Sequence, residues 1–382
     1  MSEYQYYEFQ AVDRPLTPAE MAELRALTTR ATITPTRLQN VYHWGDFKGD
    51  PLALMERYFD AFVYVANWGT HRLMLRLPRR LLDPRVARRY ETPACLEVHA
   101  GREHVVLELT SDDEEGDWGE DDDDEGWMPA LLPLRAELAG GDRRALYLAW
   151  LAGAQAGDLR DQAREPPVPP GLGDLSASLQ ALAAFLRLGD DLLAVAAAGS
   201  AAPPPAPSAA ELGRWIAGLP AAEKDAWLTR VATGEAARVG AELRRGFDRP
   251  EAAGTDDGDG GRTVGELVGA AEARAAERRR REAERRAAER ARRQREEAAA
   301  RARYLDGLAG REDALWDEVE ALVDTTRPKE YEQAVQLLRD LRDLAARQDG
   351  AEAFAARLGS LRRRCAKRPS LLERLDRAGL TV

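Results

Sequence analysis

Cysteine is almost missing from this chain. Cys95 and Cys365 are the two in 382 residues, far apart and in regions of different composition. That excludes a disulfide framework and any zinc finger built on cysteines. No apolar run reaches the roughly 18–20 residues needed to cross a bilayer. Met1–Gln10 is polar and aromatic, not basic and then apolar, so no secretory leader is read there and a cytoplasmic location is expected. Lysine is nearly absent beside arginine, and alanine is abundant. This is the bias of a GC-rich genome, so an arginine-rich stretch is not by itself a nucleic-acid patch. Also absent are a Walker A loop, a G-x-G-x-x-G after a strand, a G-x-S-x-G elbow and an H-E-x-x-H helix. Without them the expectation leans away from an enzyme.

What is present is a layout. The formal net charge is −11, but it is uneven: residues 112–125 are almost wholly acidic and 274–303 carry surplus arginine. An acidic total argues against wholesale coating of DNA while leaving a local basic surface possible. At about 100–200 residues per domain the length allows two to four domains. Residues 1–110 read as an α+β domain, a β-α-β-α-β-β-β-like sandwich with helices on one sheet face. An acidic disordered loop (111–126) and a helical module (127–200) follow. Then come a Pro/Ala linker (201–208), a helical hairpin (209–248) and a flexible linker (249–262). A long charged helix (263–308) leads to a C-terminal helical module (309–382).

Local signals support this division. Thr17-Pro18-Ala19-Glu20 is a capping box with proline at the first helical position, and Asp50-Pro51 opens a second helix in the same way. After it Leu54, Met55, Tyr58, Phe59, Phe62 and Val65 form one broad apolar helical face, with Gly69 as the stop. His71–Leu77 alternates strictly, with Leu73, Leu75 and Leu77 opposite Arg72, Met74 and Arg76. Cys95–His99 and His104–Leu109 flank a turn and predict a hairpin. In the charged helix Glu277/Arg281, Glu282/Arg286 and Glu289/Arg293 are spaced i,i+4, a spacing that stabilises by about 0.2–0.5 kcal/mol per pair. Between Glu272 and Arg303 its apolar residues are all alanine. A coiled coil requires larger a and d side chains, so an isolated helical spacer is expected.

All four histidines, His43, His71, His99 and His104, fall in the first 110 residues. His99 and His104 flank the hairpin turn, where they can face one another and, with His43, Asp46 or His71, hold a divalent metal. Their spacing matches no closed zinc pattern, so no resident metal and no cofactor is expected. The stretch 42–50, with His43, Trp44 and Asp46, mixes aromatics, acids and glycines at a strand-to-helix junction and reads as a binding loop. Arg72 and Arg76, continued by Arg79 and Arg80, make a basic stripe able to grip phosphate. Alternation alone also puts polar residues on that face. The ligand-binding candidates are thus His43, Trp44, Asp46, His71, Arg72, Arg76, His99 and His104.

Tyr7–Arg80, with Arg14-Pro15-Leu16-Thr17-Pro18, Tyr42-His43-Trp44-Gly45-Asp46 and Tyr58-Phe59-Asp60-Ala61-Phe62, resembles uncharacterised proteins of GC-rich bacteria. Tyr304-Leu305-Asp306 through Pro369-Ser370-Leu371-Leu372-Glu373-Arg374-Leu375 resembles the helical tail of some bacterial SWIM zinc-finger proteins. The C-x-C…C-x-H finger of that family is absent here, so its zinc and nucleic-acid contacts transfer to no residue. The resemblance implies a partner in the same system. The expected function is a non-enzymatic adaptor that binds protein partners through both end modules. A metal- or nucleotide-dependent enzyme with a histidine-containing site and a nucleic-acid accessory protein are the alternatives.

Overall fold

The computed structural model describes residues 4–113, 126–203, 208–247 and 261–381. Most of the acidic run and of the two linkers lies outside these residues, although Ser111 and Asp112, expected in the disordered loop, belong to a strand. The chain divides into two compact units, Met1–Glu277 and Arg278–Val382.

Seven antiparallel strands form the sheet of the first unit: β1 Gln5–Gln10, β2 Thr32–Ile33, β3 Arg37–Tyr42, β4 Ala61–Ala66, β5 Thr70–Pro78, β6 Leu96–Ala100 and β7 His104–Asp112. Their order is β2-β3-β1-β4-β5-β7-β6. Helix α1 (Pro18–Leu27) begins at the expected capping box: the Thr17 hydroxyl accepts from the Glu20 amide and the Glu20 carboxylate accepts from the Thr17 amide. Helix α2 (Pro51–Arg57) begins at Asp50, whose carboxylate accepts from the Leu52 and Ala53 amides.

The expected helix over 51–68 is only partly there. α2 stops at Arg57, and Ala61–Ala66 is instead β4, paired with β1 on one side and β5 on the other. A strand covered on both faces shows no polar alternation, so its apolar run reads equally well as a buried helix. The β-branched and aromatic content of Phe62-Val63-Tyr64-Val65 favours the strand. Gly69 is no helix stop. It supplies φ +97° in the tight turn from β4 to β5, a conformation that only glycine enters without strain.

Helices cover both faces of the sheet, not one. On the first face α1 and α2 bring Leu24, Leu54 and Met55 onto Phe9, Phe62, Met74 and Val106. Beyond β5, α3 (Pro84–Ala87) continues as a 3-10 turn to Tyr90. The second face carries α4 (Trp127–Leu131), α5 (Pro133–Ala139), α6 (Arg144–Ala156), α7 (Ala177–Phe185) and α8 (Asp190–Ala198). Their Leu134, Leu148, Leu182 and Phe185 share one core with Val63, Leu73, Leu75 and Leu107. α6 passes so near Thr92 that a Cβ on Gly153 would stand 2.7 Å from its methyl carbon. α9 (Ala209–Gly218), α10 (Ala221–Arg230) and α11 (Ala236–Phe247) gather around Trp215, with Trp227 stacked at 6.2 Å and Phe247 edge-on at 5.9 Å.

The charged segment is a single helix, α12 (Val264–Asp306), roughly 65 Å long at 1.5 Å per residue. Its ion pairs include Arg278–Glu282 and Arg280–Glu284, at 3.5 and 3.1 Å and exposed. These run arginine before glutamate, the less favourable orientation. α13 (Glu312–Asp324), α14 (Pro328–Arg347), α15 (Ala351–Arg364) and α16 (Pro369–Arg377) are the four expected C-terminal helices. They pack around Trp316, Val319, Leu338, Leu341, Leu358 and Leu361. Buried Asp340 joins the end of α12 to α14, accepting from Arg301 at 2.6 Å and from the Tyr304 hydroxyl at 3.0 Å.

Around Asp60 the first unit is held by charge as well as by apolar packing. The Asp60 carboxylate accepts from the Val12 and Asp13 amides at 2.7 and 2.8 Å and from Arg76 Nη2 at 2.9 Å. Arg135 of α5 lies 3.5 Å away and donates to Asp13 and to the Arg76 carbonyl. Removing one member of a buried pair leaves the other charged and unsolvated. Asp60→Ala is therefore expected to lower unfolding stability by about 3–5 kcal/mol in urea titrations. A loss below about 1 kcal/mol, the range of an exposed pair, would contradict this role.

Candidate functional site

One end of the first sheet face supplies the site. It lies where α2 begins: Gln5 and Tyr7 are buried under the loop leading into Pro51, while Tyr64 and Arg72 are half-buried. Gln5, Tyr7 and Phe9 point to this face from β1, and Phe62 and Tyr64 from β4. The Gln5 side-chain oxygen accepts from the Tyr7 hydroxyl at 2.8 Å and the Tyr64 hydroxyl at 3.0 Å. Its amide nitrogen donates to the Gly45 carbonyl and to Asp46 Oδ1, at 3.2 and 3.1 Å. One glutamine thereby fixes both phenols and the loop before α2. Burial raises both tyrosine pKa values above the ordinary range, so the phenols stay protonated as donors. Between them lies an open cleft of about 250 Å³ lined by Tyr7, Phe47, Pro51, Phe62, Tyr64 and Arg72.

Arg72 links the cleft to a second cluster. Its Nε donates to Glu108 Oε1 at 2.5 Å. His99 Nε2 lies 2.9 Å from Glu108 Oε2, and His99 Nδ1 lies 3.6 Å from Glu97 Oε1. Register explains the meeting: Glu97 pairs directly with Glu108, while His99 pairs with Val106. His99 and His104 therefore do not face each other across the turn.

The other expected site residues are dispersed. His43 packs on Tyr4 at 5.7 Å, and Trp44 beside it is 69% exposed on the loop that also supplies Phe47. Asp46 joins the cleft through Gln5. His71 is on the opposite face, buried, with Nδ1 donating to the Phe185 carbonyl at 2.9 Å. Arg76 belongs to the Asp60 network, and His104 lies near it. Burial and then the Arg76 charge lower the His104 pKa. The basic stripe is largely engaged within the unit: Arg72 by Glu108, Arg76 by Asp60 and Arg80 by Glu242. Sequence reasoning did not single out Gln5, Tyr7, Tyr64, Glu97 or Glu108. The two glutamates follow from the predicted hairpin once its register is known. Tyr64 was hidden by the helical reading of 61–66.

No family model, curated protein or solved structure matches the chain.

A second cleft, also about 250 Å³, lies in the C-terminal unit and is lined by Glu332, Val335, Gln336, Arg339, Arg374 and Arg377. Neither cleft contains a thiol. Cys95 is buried, and burial, aided by the Asp158 carboxylate, pushes its pKa up to about 12. A neutral, enclosed thiol is a poor nucleophile. At pH 8 the native protein is expected to leave Cys95 and the equally buried Cys365 unlabelled by a thiol reagent until denaturant is added. Rapid labelling of Cys95 before unfolding would contradict this placement.

Proposed function

We propose that the chain is a non-enzymatic adaptor that engages protein partners through two separate surfaces. The observation that carries this reading is the division into two units, each with its own apolar core and its own open cleft. The first cleft, at about 250 Å³, is below the roughly 300–1,000 Å³ of sites that enclose drug-sized ligands. It suits a side chain or short segment presented by a partner. Tyrosine, tryptophan and arginine carry a disproportionate share of binding energy at protein interfaces. Tyr64, exposed Trp44 and Arg72 supply all three here. The second cleft combines Val335 and Ala378 with Arg339, Arg374 and Arg377, which favours an acidic partner segment.

The enzyme alternative has less support, because His43, His71, His99 and His104 do not converge. Nucleic-acid association through the arginine-rich helix also has less support, because Arg278, Arg280 and Arg292 of that helix pair with its own glutamates. The test is quantitative affinity purification of full-length protein from its own cells. Trp44→Ala/Tyr64→Ala and Arg374→Glu/Arg377→Glu are compared with the unaltered chain. Each pair is expected to lose a different partner while the other is retained. Retention of every partner by both variants, or loss of the same partner by both, would overturn the adaptor reading.

A further inference from the structure

Glu97 and Glu108 stand directly opposite on β6 and β7. Like charges in that relation are destabilising and invite a cation. Arg72 answers one oxygen of Glu108, and its other oxygen faces His99. One ligand atom from each of Glu97, His99 and Glu108 lies within 4.8 Å of the others.

We propose that Glu97, His99 and Glu108 form a binding site for a first-row divalent metal ion, beside the aromatic cleft. The edge already formed has the right length. With metal–ligand bonds of about 2.1 Å, the 2.9 Å between His99 Nε2 and Glu108 Oε2 corresponds to roughly 90° at the ion, the angle of an octahedral edge. The exposed Glu97 carboxylate now lies 3.6 Å from the other ring nitrogen, Nδ1, and supplies the third ligand by rotating towards Nε2. An ion there replaces the proton that Nε2 donates to Oε2, which leaves as binding occurs. Arg72 keeps hold of Oε1 and so orients Glu108, as outer groups orient metal ligands elsewhere. Because Arg72 also lines the cleft, the open coordination positions lie next to the surface proposed for a partner. One imidazole with two carboxylates selects Zn²⁺, Mn²⁺ or Ni²⁺ over Mg²⁺, which prefers oxygen donors and retains its waters.

The test is calorimetric titration of the tag-free full-length chain, stripped with a chelator, using Zn²⁺, Mn²⁺ and Mg²⁺ separately. One equivalent of Zn²⁺ or Mn²⁺ is expected to bind, with Mg²⁺ much weaker. His99→Ala and Glu108→Gln should each raise Kd at least about tenfold, whereas His43→Ala and His104→Ala should leave it unchanged. Unfolding curves measured in chelator show whether each variant is folded, and Glu97→Gln on the exposed strand edge gives an independent loss should Glu108→Gln fail to fold. No saturable binding by the unaltered chain, or unchanged affinity in folded His99→Ala, would overturn the proposal. The readout is the metal alone, so its failure leaves the partner experiment untouched.

Discussion

Asp60 lies between two guanidinium groups and two backbone amides with a side-chain exposure of 1%. Its attachments fix the end of β1, the start of β4, the last residues of β5 and, through Arg135, a helix on the opposite face. Taking such charges out of water costs several kcal/mol each, which only near-complete pairing offsets. The Asp60 amide also donates to the Gln10 carbonyl, so the register of β4 against β1 is set at this corner. A one-residue slip would exchange Phe62 and Tyr64 with Val63 and Val65. It would thus remove the aromatic floor of the cleft and bury a phenol in the aliphatic core of the other face.

From that corner the location of the cleft follows. A seven-residue helix is about 10 Å long and a six-residue strand about 20 Å. α2 therefore covers the Asp60 end of β1 and β4, and the end bearing Tyr7 and Tyr64 is covered by the loop before it, which leaves Tyr64 half-buried. Gln5 holds Tyr7, Tyr64 and Asp46 by hydrogen bonds, and Arg72, Glu108 and His99 form a separate chain beside them.

Features governed by local chemistry were legible in the sequence. The capping box at Thr17, the Asp50 cap, the alternation of His71–Leu77, the charged helix and the four C-terminal helices form as read, and the hairpin read as Cys95–His99 with His104–Leu109 forms as Leu96–Ala100 with His104–Asp112. What escaped depended on tertiary pairing. β4 lies in the middle of a sheet covered on both faces, so nothing in its pattern separated it from a continuation of α2. Misreading it hid the facing of Tyr64 and the helical cover on the second face. Of the site residues, Arg72 and His99 came together while His71 turned away, because neighbouring residues on a strand point to opposite faces.

The metal site proposed at Glu97, His99 and Glu108 makes His99 the one histidine of the four that should meet an ion. It is tested most directly by nitrogen NMR of histidine side chains in the full-length protein during Zn²⁺ titration. Nε2 of His99 is expected to move to a metal-bound shift at one equivalent, while His43, His71 and His104 keep their signals. A titration in which His99 remains unperturbed, or in which all four rings respond together, would contradict it.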